Sequence, residues 1–237
     1  MPWSRAIMDE KIIYDFAFED GQSYHFEVPL QGWVENSTAA TQSPALPAWT
    51  LLANDRCPNC PLDPTAHKYC PAAVDLHAAA TKFSAVASYK NAKVSVIVGK
   101  RTYVSSCDMN TGLRSLFGLY MALSGCPVTR RMRPMALRHL PFSSMEETLS
   151  RVVSHYLLKQ YFVMKTGGAP DWELKELLTL YQSLDDVNTA FVKRVGHASE
   201  RDSNLNAICG FSTFSRLYTM ALDDLLEEEK ATFLKGF

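Results

Sequence analysis

Residues 11–30 read KIIYDFAFEDGQSYHFEVPL, and their alternation sets the architecture of the amino-terminal half. Ile12, Tyr14, Phe16 and Phe18 alternate with Ile13, Asp15 and Ala17. After Asp20-Gly21, the residues Tyr24, Phe26, Val28 and Leu30 alternate with His25 and Glu27. Successive side chains of a strand point to opposite faces, so each run carries one apolar face. Two such runs around a Gly-containing turn predict a hairpin that buries one side.

The same period returns at 92–107, AKVSVIVGKRTYVSSC, where Val94, Val96 and Val98 alternate and Gly99-Lys100 turns the chain into a second pair of strands. Between the pairs, residues 35–47 form a polar loop, AWTLLA (48–53) reads as a short strand, and Cys70-Pro71 opens a helix with proline at its favoured first position. From about Asp108 the period changes from two to 3.6. MNTGLRSLFGLYMALSG is helical and ends at Gly125. Ser144 and Glu147 form a capping box ahead of a helix with Leu149, Val152, Val153, Tyr156, Leu157, Gln160, Tyr161 and Met164 on one side. TGGAPD (166–171) breaks it. A second long helix runs from about Asp171 to Arg194 on the stripe Leu174, Leu177, Tyr181, Leu184, Phe191 and Val195, and residues 204–234 make one or two more. Strands followed by helices predict an α+β fold: a small, mainly antiparallel sheet in the amino-terminal half and a bundle-like helical carboxy-terminal half. The chain reads as a single unit over 1–237, with a strand-rich sub-region 1–107 that holds a cysteine loop and a helical sub-region 108–237.

With 237 residues, 47% hydrophobic and 21% charged, the composition is globular and the core needs no disulfide or metal merely to reach stability. The longest apolar-rich run, roughly Leu116 to Val128, is too short to span a bilayer, which takes about 20 residues. The amino terminus has no apolar signal core, since Asp9 and Glu10 interrupt it. A soluble cytoplasmic protein is the expectation, and there clustered cysteines stay reduced and read as ligands. The net charge of −1 conceals segregation. Residues 1–63 carry 3 basic and 9 acidic side chains, residues 64–145 carry 11 and 2, and residues 146–237 carry 10 and 14.

Four of the six cysteines precede proline: Cys57, Cys60, Cys70 and Cys126. A Cys-x-x-Cys turn lets two sulfurs converge on one ion, and two further ligands can come from wherever the fold brings them. Proline fixes its own φ and pushes the preceding cysteine towards extended geometry, which leaves a stiff ligand. Cys70 sits at a helix start, where the dipole favours thiolate; Cys126 follows a helix end, where it does not. Cys-Pro-x-Cys resembles the knuckles of zinc ribbons and rubredoxins, but those end in glycine where Pro61 stands, and this chain has only one knuckle. One Cys-x-x-Cys with scattered single Cys-Pro ligands points to a [4Fe–4S] cluster ahead of structural zinc, against the plainer reading of small buried thiols. His67 reads as a loop histidine rather than a substitute ligand.

The acid-free stretch 109–145 ends in CPVTRRMRPMALRHLPF, which gathers Arg130, Arg131, Arg133, Arg138 and His139 as an anion or protein contact surface. The competing reading pairs these arginines with Glu146, Glu147 or the acidic run DDLLEEE. No helix-turn-helix, RNA-binding or zinc-finger pattern supports nucleic acid. No HExxH, GxSxG, Walker A or GxGxxG pattern is present, and nothing activates Cys107 or Cys209 as nucleophiles. Tyr156, Tyr161, Phe162 and Tyr181 read as core.

Several stretches carry a resemblance: PAWTLLANDRCPNCPL, YCPAA, SGCPVTRRMRPMALRHLPFSSMEETLSR, YLLKQYF and PDWELKEL. They resemble an uncharacterised bacterial family classed as a domain of unknown function, over most of the chain. Its cysteine-proline motifs fall on Cys57, Cys60, Cys70 and Cys126, while Cys107 has no counterpart. The resemblance implies one full-length unit and a site made from those four, and no activity. The sequence therefore predicts a metal protein with one four-cysteine centre, iron–sulfur with a redox, sensing or electron-transfer role. A zinc-stapled interaction module that docks a protein or anionic partner through Arg130–His139 is the alternative. An enzyme of another class would be announced by a deep pocket lined by His139 and the arginines, away from the cysteines.

Overall fold

The computed structural model describes residues 11–30 and 46–235; most of the polar loop expected over 35–47, and the amino terminus read for a signal core, lie outside these. The expected hairpin is β1 (Lys11–Phe18) and β2 (Ser23–Pro29), antiparallel with Tyr14 opposite Phe26. The second pair is β3 (Asn91–Val98) and β4 (Arg101–Asp108). β1 joins the pairs by running antiparallel to β3 with Tyr14 opposite Val96, so the sheet order is β2-β1-β3-β4. The alternation is realised as burial. Ile12, Tyr14, Phe16, Val28, Val94 and Val96 are closed from solvent, and Phe18 and Phe26 nearly so.

Helix α1 (Pro71–Lys82) follows the cysteine loop, and α2 (Met109–Leu123) follows β4 directly. Asp108 ends the strand and caps α2, its carboxylate accepting from the Thr111 amide at 2.8 Å. α2 covers the inner face of the sheet. Gly112 allows the approach, since a Cβ there would meet Phe16 Cε1 at 3.0 Å and Val94 Cγ2 at 3.2 Å. A 3-10 turn (Thr129–Met132) and the short α3 (Arg133–Ala136) lead to α4 (Met145–Lys165), α5 (Lys175–Gly196) and α6 (Ser203–Leu234), which bends at Ala221.

The capping box at α4 is formed as expected, with Glu147 accepting from the Ser144 amide at 2.8 Å. α5 starts later than its stripe suggested. Asp171 accepts from the Lys175 and Glu176 amides at 3.2 and 2.8 Å, but Leu174 holds φ at +60° and breaks the helical path between them. AWTLLA is not a strand: Ala48–Thr50 is a 3-10 turn, and only Leu51 bridges, to Tyr69. Tyr161, Phe162 and Met164 were expected in the core and are exposed, because the last turns of α4 outrun the cluster that buries its first half. One core joins the sheet, α1 and α2 to Val187, Phe191 and Val195 of α5 and Ala207 and Ile208 of α6. A second lies among α4, α5 and α6. Among the described residues, no helix is long and apolar enough to cross a membrane.

Candidate metal centre

Each of the four cysteine-proline positions is held by backbone bonding. The Cys60 amide donates to the Cys57 carbonyl at 3.0 Å and closes the knuckle. Arg56 braces it from outside, donating to the Cys60 and Leu62 carbonyls at 2.9 and 2.8 Å. Asn59 reaches the Ser183 carbonyl of α5 at 2.8 Å. The Cys70 amide donates to the Thr50 carbonyl at 2.8 Å, and Cys70 then caps α1 with Pro71 in the first position, as the sequence predicts. Cys126 lies just past the end of α2, where its amide donates to the Ser124 hydroxyl at 3.2 Å. The two distant cysteine-proline turns are pressed together at Gly125, where a Cβ would stand 3.2 Å from Pro71. A side chain at 125 would require Pro71 to give way by a few tenths of an ångström.

The result is convergence. Cys57, Cys60, Cys70 and Cys126 line one small cavity with room for a water-sized sphere, roofed by Pro61 and Pro71. Cys57 and Cys70 are 9% and 6% exposed; Cys60 and Cys126 are half-buried. Cys107 lies on β4 and Cys209 is exposed on α6, and neither lines the cavity. His67 is exposed, bonded to its own loop. As the side chains stand, no group of three or more His, Cys, Asp or Glu among the described residues is placed to hold a metal ion; the four thiols share a cavity rather than a point.

Burial outweighs the helix terminus at Cys70. The Ala73 amide and Arg194 favour the thiolate, yet desolvation pushes the thiol up to about 11, where the dipole alone was expected to lower it. At Cys57, desolvation and the other three thiols push it up to about 12.

One residue of the site was not anticipated. Arg194, in the last turns of α5, lines the same cavity and is 1% exposed. Its guanidinium donates to the carbonyls of Trp49 at 2.8 Å and Leu51 at 2.6 Å, with a longer contact to Leu52 at 3.5 Å. Its Nε has no hydrogen-bond partner, and among the described residues it makes no ion pair. The sequence held one signal for it: a basic residue inside the apolar stripe, between Phe191 and Val195.

The arginine segment is uneven in its exposure. Arg130, Arg131 and Arg138 are exposed, while Arg133 donates to the Leu30 carbonyl at 3.1 Å. The expected pairing with Glu146, Glu147 or the acidic run is not seen among the described residues, and Glu147 is occupied in its capping box. His139 turns inward instead, its Nε2 hydrogen-bonded to the Tyr14 hydroxyl. Burial, with Arg151 adding to it, holds His139 down to about 3. A histidine depressed in the folded state contributes stability above its ordinary value near 6.5, and that contribution is lost as pH falls from there towards 3. Melting temperatures from pH 7 to pH 5 should fall more steeply for the wild type than for His139→Gln, by at most about 1.4 kcal/mol per pH unit. Parallel slopes would exclude the histidine as the cause.

The chain belongs to the family described as Domain of unknown function (DUF6901), which matches residues 12–234. No curated protein and no solved structure matches it.

Proposed function

We propose that this family member is a cytoplasmic metal protein whose single four-cysteine centre holds a [4Fe–4S] cluster in a redox, sensing or electron-transfer role. The carrying observation is the convergence of the four cysteine-proline residues, and of no other cysteine, on a cavity that also holds a buried, acid-free arginine. A guanidinium is almost never fully buried without a counter-charge. Four thiolates around a cluster of charge 2+, or around zinc, carry about −2 and supply one. The fit is therefore reciprocal: the thiolates need a cation to offset burial, and Arg194 needs an anion.

The spacing favours the cluster: one Cys-x-x-Cys turn, Cys57 to Cys60, is joined by two isolated Cys-Pro ligands, Cys70 and Cys126, rather than by the second knuckle of a zinc ribbon. When bound, the cluster would supply one-electron chemistry. Of the chain's own residues, Cys57, Cys60, Cys70 and Cys126 would bind it, Arg194 would offset its charge, and Pro61 and Pro71 would limit its contact with water.

Protein prepared without oxygen and with iron supplied should be brown, with broad absorption near ~400 nm, and carry iron and sulfide in equal amounts. Colourless protein with one zinc per chain would overturn the cluster and leave the four-thiolate site as a structural staple, whose removal by chelation should unfold the Cys57–Cys70 loop.

A further inference from the structure

A second cavity, of about 220 Å³, is far larger than the one the cysteines line. It lies in the helical half, walled by α2, the 129–143 segment, α4, α5 and α6. Its polar lining is internally braced. The Tyr14 hydroxyl bonds both His139 Nε2 and the Ser115 hydroxyl, the latter at 2.7 Å, and the Phe142 amide donates to that Ser115 oxygen at 3.3 Å. Arg151, beside His139, donates to the Arg138 carbonyl at 2.6 Å and the Ser143 hydroxyl at 3.4 Å. Arg114, next to Ser115 on α2, lies 5.0 Å over the ring of Phe214. Much of the remaining lining is apolar and adaptable, with Met121, Met132 and Met135 among it.

Neither guanidinium has an acid of its own. Among the described residues neither Arg114 nor Arg151 forms an ion pair, and the acids whose charge they feel are engaged elsewhere, Asp108 in capping α2 and Glu147 in its capping box. Both are half-buried. A desolvated cation without a counter-charge is costly, and it is a standing site for an anion that arrives with the ligand. His139 cannot share that task at neutral pH, since its depressed value keeps it uncharged; it offers a hydrogen bond only. A closed apolar cavity of about 150 Å³ takes benzene, so this pocket, which is partly open to solvent, has space for a ligand of roughly ten non-hydrogen atoms.

The geometry points to a binding site for a small apolar carboxylic acid, its carboxylate on Arg151 and Arg114 and its body among the methionines and phenylalanines. Its polar lining uses none of the four cysteines, so the site stands apart from the metal centre.

Isothermal titration of the intact protein with octanoate and with 1-octanol tests it without any mutation. Both have ten non-hydrogen atoms or close to it, and only the first carries a charge. Octanoate should bind saturably, one per chain, at least tenfold tighter than the alcohol. Arg114→Met should abolish that preference while leaving the alcohol's affinity unchanged. Arg151→Met should do the same, although it also strips the Arg138 carbonyl of its donor, so Arg114→Met is the variant that separates recognition from folding. Equal affinity for acid and alcohol, no saturable binding of octanoate, or an undiminished preference in Arg114→Met and Arg151→Met would each overturn the assignment.

Discussion

Serine at any one of Cys57, Cys60, Cys70 or Cys126 should empty the proposed metal centre, and serine at Cys107 or Cys209 should leave metal content at the wild-type level. The division follows from the cavity, which the first four line and the last two do not. Once the metal is lost, the remaining thiols take up protons, as burial favours, and Arg194 is left buried without a counter-charge, an effect of about 3–5 kcal/mol. For a chain of this length that is a drop in melting temperature of roughly 6–20 °C. The chain should not unfold outright as a zinc finger does on losing its metal, because the core of the sheet, α1 and α2 extends well beyond the cysteines. Cys126→Ser carries particular weight: its thiol is the one that arrives from beyond α2, so its loss should release that turn from the Cys57–Cys70 loop. Cys209→Ser, at an exposed position, should stay within ~0.5 kcal/mol of wild type. Metal analysis beside calorimetry reads both quantities on the same samples. A quadruple serine variant that keeps its metal and its melting temperature would remove the centre from consideration.

The elements legible in the sequence are those whose signal is local. The alternation of 11–30 and 92–107 names four strands, and in β1, β2 and β3 their buried faces, because a strand's side-chain period is two wherever it pairs; β4 buries none of its residues. The alternation does not name the pairing of β1 with β3, a contact between segments some eighty residues apart in which Tyr14 faces Val96. The grouping of the four cysteines, which line one cavity, had an unusual signal in the sequence. Proline beside each one marks a common backbone need, and the fold meets that need by pressing Gly125 against Pro71. Arg194 showed in the sequence only as a basic residue inside the apolar stripe, a weak signal, since a basic residue in the last turn of a helix is an ordinary favourable placement. Only the packing of α5 against the 48–52 segment turns it inward. The same limit hid Arg114 and Arg151, whose spacing on α2 and α4 looks like that of solvent-facing residues. Tyr161 and Met164 erred the other way: a period reports a stripe, but not where the partner helix ends.

Arg194→Met should be among the most damaging single substitutions outside the cysteines, and its partner Arg194→Lys should separate two reasons for the damage. The guanidinium satisfies the Trp49 and Leu51 carbonyls at 2.8 and 2.6 Å. Each buried acceptor left without its donor costs about 1–3 kcal/mol. Methionine removes those bonds and the charge together, so a loss of about 3–5 kcal/mol is expected, with weaker metal retention because the anionic centre then lies buried without its cation. Lysine keeps the charge but not the planar fork that reaches two carbonyls at once. It should therefore melt lower than wild type while holding a full complement of metal. In a cluster-bearing protein the methionine variant should also have a lower reduction potential, because a nearby cation stabilises the more negative, reduced state and its removal favours the oxidised one. The lysine variant should stay close to wild type in that measurement. If methionine and lysine lose stability equally and both retain metal at wild-type affinity and potential, Arg194 is a brace for the 48–52 segment and nothing more, and the charge argument for the centre loses its support.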